Sequence, residues 1–410
     1  MTPDYRPLTT DEIIEYARRH RGDDPFRLLL KGGLPDALDP QRVADQLEGL
    51  ALASTKWPWL AANDNIAYPC RLSREQSSSQ AAAHYKAELI ASVRNAAHAQ
   101  QPLLADLTGG MGVDSLVFAS VAEHVDYIER DNILCNLMSH NANALSLNNI
   151  TVHNTDCVEW LETNNRHYDW FYIDPARRGK HGQKLASLTD CQPDVVCLLP
   201  MIKPWCDKLL IKTSPMIDIT QASKQLNNVV AVHIVAVNHE CKEVLFVLQC
   251  SQAPSISPLA VTCVDLWHNG RWENSFSADD AATPVFASSL CRYLYEPNAS
   301  LMKGAHWGGI CQWYNVSMLD PCTHLYTSDN FVADFPGRIF EVLKQVKLNR
   351  KAVTAELKHA NVIARNYPAT ADTLRRQLGL ADGGDDFIVA TTIRGKKTGI
   401  LARRLSTTIN

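Results

Sequence analysis

The sequence has 12 cysteines and 14 histidines, yet it contains no Cys-x-x-Cys pair and no His-x-x-His spacing. Thiols scattered in this way suggest neither a zinc framework nor a disulfide scaffold, so reduced, mostly buried cysteines and no metal are expected. No apolar run approaches the ~18 residues that cross a bilayer. The opening MTPDYRPLTTDEIIEYARRH lacks the apolar stretch of a secretory signal. Low-complexity tracts are absent, as is the Gly-x-Gly-x-x-Gly fingerprint of dinucleotide sites. These absences leave a soluble, cytoplasmic protein away from membranes. Its 410 residues are too many for one core, so two or three domains are expected.

Charge is scarce overall, at 20% Asp, Glu, Lys and Arg, and the net charge is only −4. It is unevenly spread. From Pro336 to Asn410 there are 14 Lys/Arg against 6 Asp/Glu, a net +8, which leaves −12 on the preceding residues. A basic end module on an acidic body points to a polyanionic partner. The alternative is that Arg394, Lys396, Lys397, Arg403 and Arg404 form a solvated face.

What the sequence does contain is a chain of alternating strands and helices from Leu103 onward. Residues 1–79 read as a helical prelude, with one helix expected to start at 9–12 and carry an apolar stripe of Ile13, Ile14 and Ala17, and others near 25–31 and 40–52; a further helix is expected from Ala81 to Ala97. Strands follow at 103–107, 125–129, 150–154, 170–174, 208–214, 229–237 and 243–249, with helices between them. Repeating βα units imply a mostly parallel sheet covered on both faces. The last two strands, joined only through 239–242, would form an antiparallel hairpin at an edge. After a boundary at 250–257, residues 256–334 read as a small α+β module with strands near 259–267, 311–319 and 323–329. Residues 335–410 read as a basic domain with a helix at 339–344, a strand at 351–357, a helix at 371–378 and two closing strands.

The most informative segment is Leu103–Gly112, LLADLTGGMG. An apolar strand ends in Asp106 and opens into a loop with Gly109, Gly110 and Gly112, where a ligand can lie against bare backbone. Glu129, Asp156 and Asp174 fall at or just past the next strand ends, and parallel strands gather such ends along one rim. Glu129 follows Asp106 at about the spacing from which a carboxylate reaches ribose hydroxyls. Asp156 is placed for an adenine amino group, although Asp is also a common helix cap. Asp106, Thr108 and the glycine backbone would hold a polar, amine-bearing tail. This set describes a cationic adenosine derivative, S-adenosylmethionine, better than a dinucleotide; a nicotinamide-dependent oxidoreductase is the alternative of that class.

The segments 105–112, 127–131, 154–157 and 172–178 together resemble the four signature motifs of class I S-adenosylmethionine-dependent methyltransferases, with closest likeness to the RNA-type, trimethylguanosine-synthase-like branch. The C-terminal segment with Asn366-Tyr367-Pro368 and Gly395-Lys396-Lys397-Thr398-Gly399 resembles a THUMP-like module. The resemblance implies a doubly wound, mostly parallel seven-stranded Rossmann-like sheet over 80–255, a ferredoxin-like module and a THUMP-like domain. It implies S-adenosylmethionine as cofactor, held by Asp106, Thr108, Gly109, Gly110, Gly112, Glu129, Asp156 and Cys157. It makes Asp174 the catalytic residue, with Pro175, Arg177, Arg178 and Lys212 toward an RNA substrate. The fourth motif, Asp174-Pro175-Ala176-Arg177, departs from the family's Pro-Pro-aromatic pattern. An aromatic stacking platform is missing there, which weighs against amine methylation and admits an inactive, RNA-binding alternative.

Overall fold

The structure, a computed structural model, describes residues 10–30, 34–35, 38–92, 101–177, 188–250, 258–268 and 270–405. The chain forms two compact units, residues 1–232 with 244–257, and residues 233–243 with 258–410. No helix among the described residues is long and apolar enough to cross a membrane.

The first unit starts with helices Thr10–Arg19, Pro25–Leu30 and Pro40–Lys56. Asp39 caps the third by accepting the Arg42 N–H at 2.9 Å, and Pro40 follows at the first helical position, where a missing N–H costs nothing. Arg74 is 2% exposed and pairs with Asp45 and Glu48 on that helix. Asn141 takes both the N–H and the C=O of Ala67, at 2.8 and 2.9 Å, tying the prelude to the helix Asn132–Ala144. The expected fourth helix runs Gln80–Ser92, and its continuation to Ala97 lies outside the described residues.

The parallel strands are β1 (Leu103–Asp106), β2 (His124–Glu129), β3 (Ile150–Asn154), β4 (Tyr168–Ile173) and β5 (Cys206–Thr213), in the order β3-β2-β1-β4-β5. The helices that follow β2 and β3 are capped by Asp131 and Asp156, and Asp194 and Asp218 cap two later ones. Each carboxylate accepts an otherwise orphaned amide of its helix's first turn. β6 (Val229–Val237) and β7 (Glu240–Gln249) form the expected hairpin, with β7 antiparallel to β5.

That hairpin is not at the edge. β8 (Ala260–Trp267) and β9 (Gly270–Ser277) continue the ladder, so the order is β9-β8-β6-β7-β5-β4-β1-β2-β3. The expected seven-stranded, mostly parallel sheet is instead nine-stranded and mixed. The reason lies in β6: Val232, Ile234, Val235 and Ala236 are fully buried, and so apolar a strand cannot be left as an open edge.

In the second unit, β10 (Tyr293–Pro297), β11 (Ser317–Met318), β12 (Tyr326–Ser328), β13 (Gly337–Val346), β14 (Asn361–Ala364), β15 (Asp386–Ile393) and β16 (Lys396–Arg404) form one sheet, ordered β11-β12-β10-β13-β16-β15-β14. Arg394 and Gly395, at φ +49° and +73°, make the tight turn between β15 and β16. Three local expectations fail here. Residues 339–344 are strand, because β13 is paired on both sides, by β10 and β16, and this pairing overrides local helical preference. Residues 351–357 begin in the helix Arg350–Thr354, which Asn349 caps through the Ala352 N–H at 2.8 Å. Residues 311–319 start in the helix Trp307–Tyr314, ended by left-handed Asn315.

Candidate active site

The carboxyl ends of β1 to β4 open into a cleft of about 470 Å³, a size suited to a small-molecule cofactor. Asp106 and Glu129 close β1 and β2, Asp174 directly follows β4, and Asp156 lies two residues beyond β3. All four line the cleft, as do Thr108, Gly109, Gly110, Gly112 and Cys157. The rim expected from the sequence is therefore assembled.

The glycines divide the work: Gly110 and Gly112 take the positive φ that glycine allows, and Gly109 answers to packing. A Cβ on Gly109 would lie 2.2 Å from the Tyr127 ring, and one on Gly112 would lie 2.5 Å from Met138 Sδ. The rigid ring excludes a side chain at Gly109, whereas at Gly112 the left-handed backbone, φ +83°, calls for glycine and the flexible end of Met138 adds to it. Only Gly110, left-handed at φ +56°, has open space where a side chain would project. Tyr127 donates its hydroxyl to the Gly110 carbonyl at 2.5 Å, while Glu129 accepts the Gly110 N–H at 2.9 Å and the Asp131 N–H at 2.8 Å. β2 thus shapes the loop from below.

Asp106 is 1% exposed. Its oxygens accept the Thr108 N–H at 3.0 Å and the Ser115 hydroxyl at 2.6 Å. Burial pushes its carboxyl up to about 7, with the two hydrogen bonds opposing. Thr108 in turn accepts the Asp174 N–H at 2.6 Å, locking the end of β4 to the loop after β1. Lys212, on β5 beside the end of β4, pairs with the Asp174 carboxylate and is 9% exposed. Pro175 and Lys212 are buried and stand behind the cleft wall rather than on it. Backbone of Ala176–Arg177 forms a short ladder with Cys191–Gln192. The Arg177 side chain, Arg178 and Lys180 lie outside the described residues.

Asp156 caps the helix Cys157–Thr163 through the Val158 N–H at 2.9 Å and lines the cleft as well, so the two readings of this residue coexist. Cys157 is buried, and burial pushes its thiol up to about 11.

Sequence reasoning missed the floor and the opposite wall. Asp114, in the first turn after the glycine loop, accepts the hydroxyls of Ser78 at 2.7 Å and Tyr172 at 2.9 Å and pairs with Lys86 at 3.3 Å. Burial alone would raise its pKa; Lys86, Lys212 and the two hydroxyls outweigh this and hold it below the usual carboxylate value. Lys86 is fully buried on the helix Gln80–Ser92, so that helix contributes a charge to the site. A single lysine within QAAAHYKAELIAS was the available signal. Asp194 and Cys197, at the start of the helix Val195–Ile202, supply the facing wall.

Among the described residues, the wall carries six acids, Asp106, Asp114, Glu129, Asp156, Asp174 and Asp194, against one base, Arg130. Two of these acids are offset by Lys86 and Lys212. The remaining negative potential favours a ligand with cationic centres and opposes a pyrophosphate.

Comparison with known proteins agrees with this chemistry. Residues 72–187 match the family described as "Putative SAM-dependent methyltransferase", 293–336 a ferredoxin-like domain and 337–404 a THUMP domain-like family. A crystal structure described as a "putative methyltransferase" from Porphyromonas gingivalis W83 superposes with a TM-score of 0.82 at 29% identity, over 96% of this chain and 98% of that one. An rRNA methylase from Streptococcus thermophilus (12% identity, 41% of this chain and 96% of that one, TM-score 0.32) overlaps too little to carry an argument. No curated protein matches. The matches do not single out the trimethylguanosine-synthase-like branch. Over residues 72–187 the chain is similar to S-adenosylmethionine-dependent methyltransferases, with S-adenosylmethionine as the cofactor, and a stretch similar to THUMP-like domains follows at 337–404.

Proposed function

We propose that the protein methylates a nucleotide in RNA, and that the basic C-terminal module guides the RNA to the cleft. The observation that carries the RNA reading is the charge asymmetry: net +8 over 336–410 against −12 elsewhere. In this reading Glu129 accepts the ribose hydroxyls, Asp156 the adenine amino group, and Asp106, Thr108 and the Gly109–Gly112 backbone hold the amino-acid end, with Cys157 beside the adenine. When bound, the cofactor supplies a methyl group on a sulfonium that is already a good leaving group. The residues are then left chiefly with alignment. Asp174 accepts a hydrogen bond or a proton from the target atom, and Lys212 compensates its charge and fixes its rotamer. Arg177 and Arg178 are the residues we assign to the RNA, while Pro175, buried behind the cleft wall, shapes the turn that carries them.

The test combines two measurements. Calorimetric titration with S-adenosylmethionine should give saturable binding in the wild type and in Asp174→Asn. Transfer of labelled methyl to RNA from cells lacking the gene should then fall by about 100-fold or more in Asp174→Asn. Label found in protein or small molecules, with RNA unlabelled, would overturn the RNA reading. A second reading is favoured by the Asp174-Pro175-Ala176-Arg177 sequence, which lacks the family's aromatic: an RNA-binding protein without transfer activity. It predicts binding of both ligands with no labelled product.

A further inference from the structure

We infer that the second unit carries a phosphate-and-base subsite for RNA, built around a pair of arginines held by one buried carboxylate; this rests on the RNA reading above and gives it residues. Glu296, at the end of β10, is 3% exposed. It lies in register with Arg338 on β13. Arg338 donates its Nε to Glu296 Oε2 at 2.6 Å, and Arg365, directly after β14, donates its Nε to Oε1 at 2.8 Å. Their Nη2 atoms flank the same two oxygens.

One arginine would suffice to neutralise Glu296 and pin the strands. Two leave a whole positive charge in excess, on side chains that remain 38% and 43% exposed. Each guanidinium has five N–H donors in a fixed fork, and Glu296 takes only the Nε and Nη2 side of each. Locking by a buried carboxylate also removes rotamer entropy before a ligand arrives. The exposed faces border a groove of about 520 Å³ whose other walls include Tyr367, Pro368 and Thr370.

The Asn366-Tyr367-Pro368 motif explains how the ring reaches this place. Asn366 is left-handed, at φ +50°, and its carbonyl accepts the Thr392 hydroxyl at 2.6 Å. The chain therefore turns sharply after Arg365 and lays Tyr367 along the groove. A forked cation pair beside an aromatic ring matches a phosphodiester with its adjacent base, since guanidinium grips phosphate and every base has a face to stack. A folded acidic protein would use the arginines but have no need of the ring.

The probe is a mixed-sequence single-stranded RNA of about 16 nucleotides, followed by fluorescence anisotropy across a salt series on the full chain. Arg365→Gln should weaken binding about tenfold and reduce the slope of log affinity against log salt by about 0.7, one phosphate contact fewer. Tyr367→Leu keeps the apolar packing, and should weaken binding about fivefold or more with the slope unchanged. Both variants should bind S-adenosylmethionine as the wild type does. If Arg365→Gln fails to fold, Arg365→Lys, which keeps the charge but not the fork, takes its place, and Tyr367→Leu decides independently. Wild type that binds the RNA, with variants equal to it in affinity and slope, overturns this subsite alone. Wild type that binds no RNA overturns it together with the RNA reading. Displacement of the RNA by equimolar AMP would assign the groove to a free nucleotide and also overturn it.

Discussion

Asp106 was readable as an acid at the head of the glycine loop, but its energetic role was not. Sequence places it against the ligand; the structure buries it with both oxygens engaged by Thr108 and Ser115. Its first task is to hold the loop's shape. Burial pushes its carboxyl from 3.8 to about 7. The native protein therefore retains a proton that the unfolded chain has released, and stability falls as pH rises through this window. The contribution is full below about pH 4 and gone above about pH 7. Asp106→Asn keeps the shape and cannot ionise, so the variant should gain on the wild type by about 3 kcal/mol between pH 5 and pH 8. Urea denaturation midpoints at those two pH values measure the difference; parallel profiles would mean that this carboxylate ionises freely in the fold.

The loop after β1 acts as a unit, and its glycines differ in what they tolerate. At Gly109 a Cβ meets the rigid Tyr127 ring, which is itself fully buried and cannot give way. At Gly110 only left-handed backbone strain opposes alanine, of about 1–2 kcal/mol. Gly109→Ala adds steric overlap in a packed core and should cost more than Gly110→Ala, about 3 kcal/mol or above, and distort the cleft. Thermal melts rank the two variants, and equal losses would show that the Tyr127 ring moves aside. The same contrast explains what was legible. The alternation of strands and helices, the four rim acids and the glycine loop are local patterns, written in residue type and spacing. Tyr127 beneath Gly109, and Lys86 reaching Asp114 from the helix Gln80–Ser92, are partnerships between distant segments that no period encodes. Pairing from both sides also turned 339–344 from an expected helix into β13, and the apolar strand β6 drew in β8 and β9 where an edge was expected.

On the scale of the whole molecule, the two chemistries respond differently to salt. The cofactor cleft sets buried or half-buried carboxylates, held by short contacts, against a small cation, and such close interactions are screened little. RNA, in the proposed reading, meets dispersed cations along 336–410, where affinity comes largely from released counterions. With three or more phosphate contacts, log kcat/KM for RNA should fall against log salt with a slope of about −2 or steeper. The dissociation constant for S-adenosylmethionine should change less than about twofold over the same series, since exposed pairs beyond about 10 Å are screened and the cleft's are not. Initial-rate methylation and calorimetry between low and physiological salt separate these quantities. A cofactor affinity that tracks salt as steeply as the RNA term would place the cleft's carboxylates in open solvent. A flat RNA term would detach the basic module from the substrate, because a net +8 that meets phosphate cannot be indifferent to the ions it displaces.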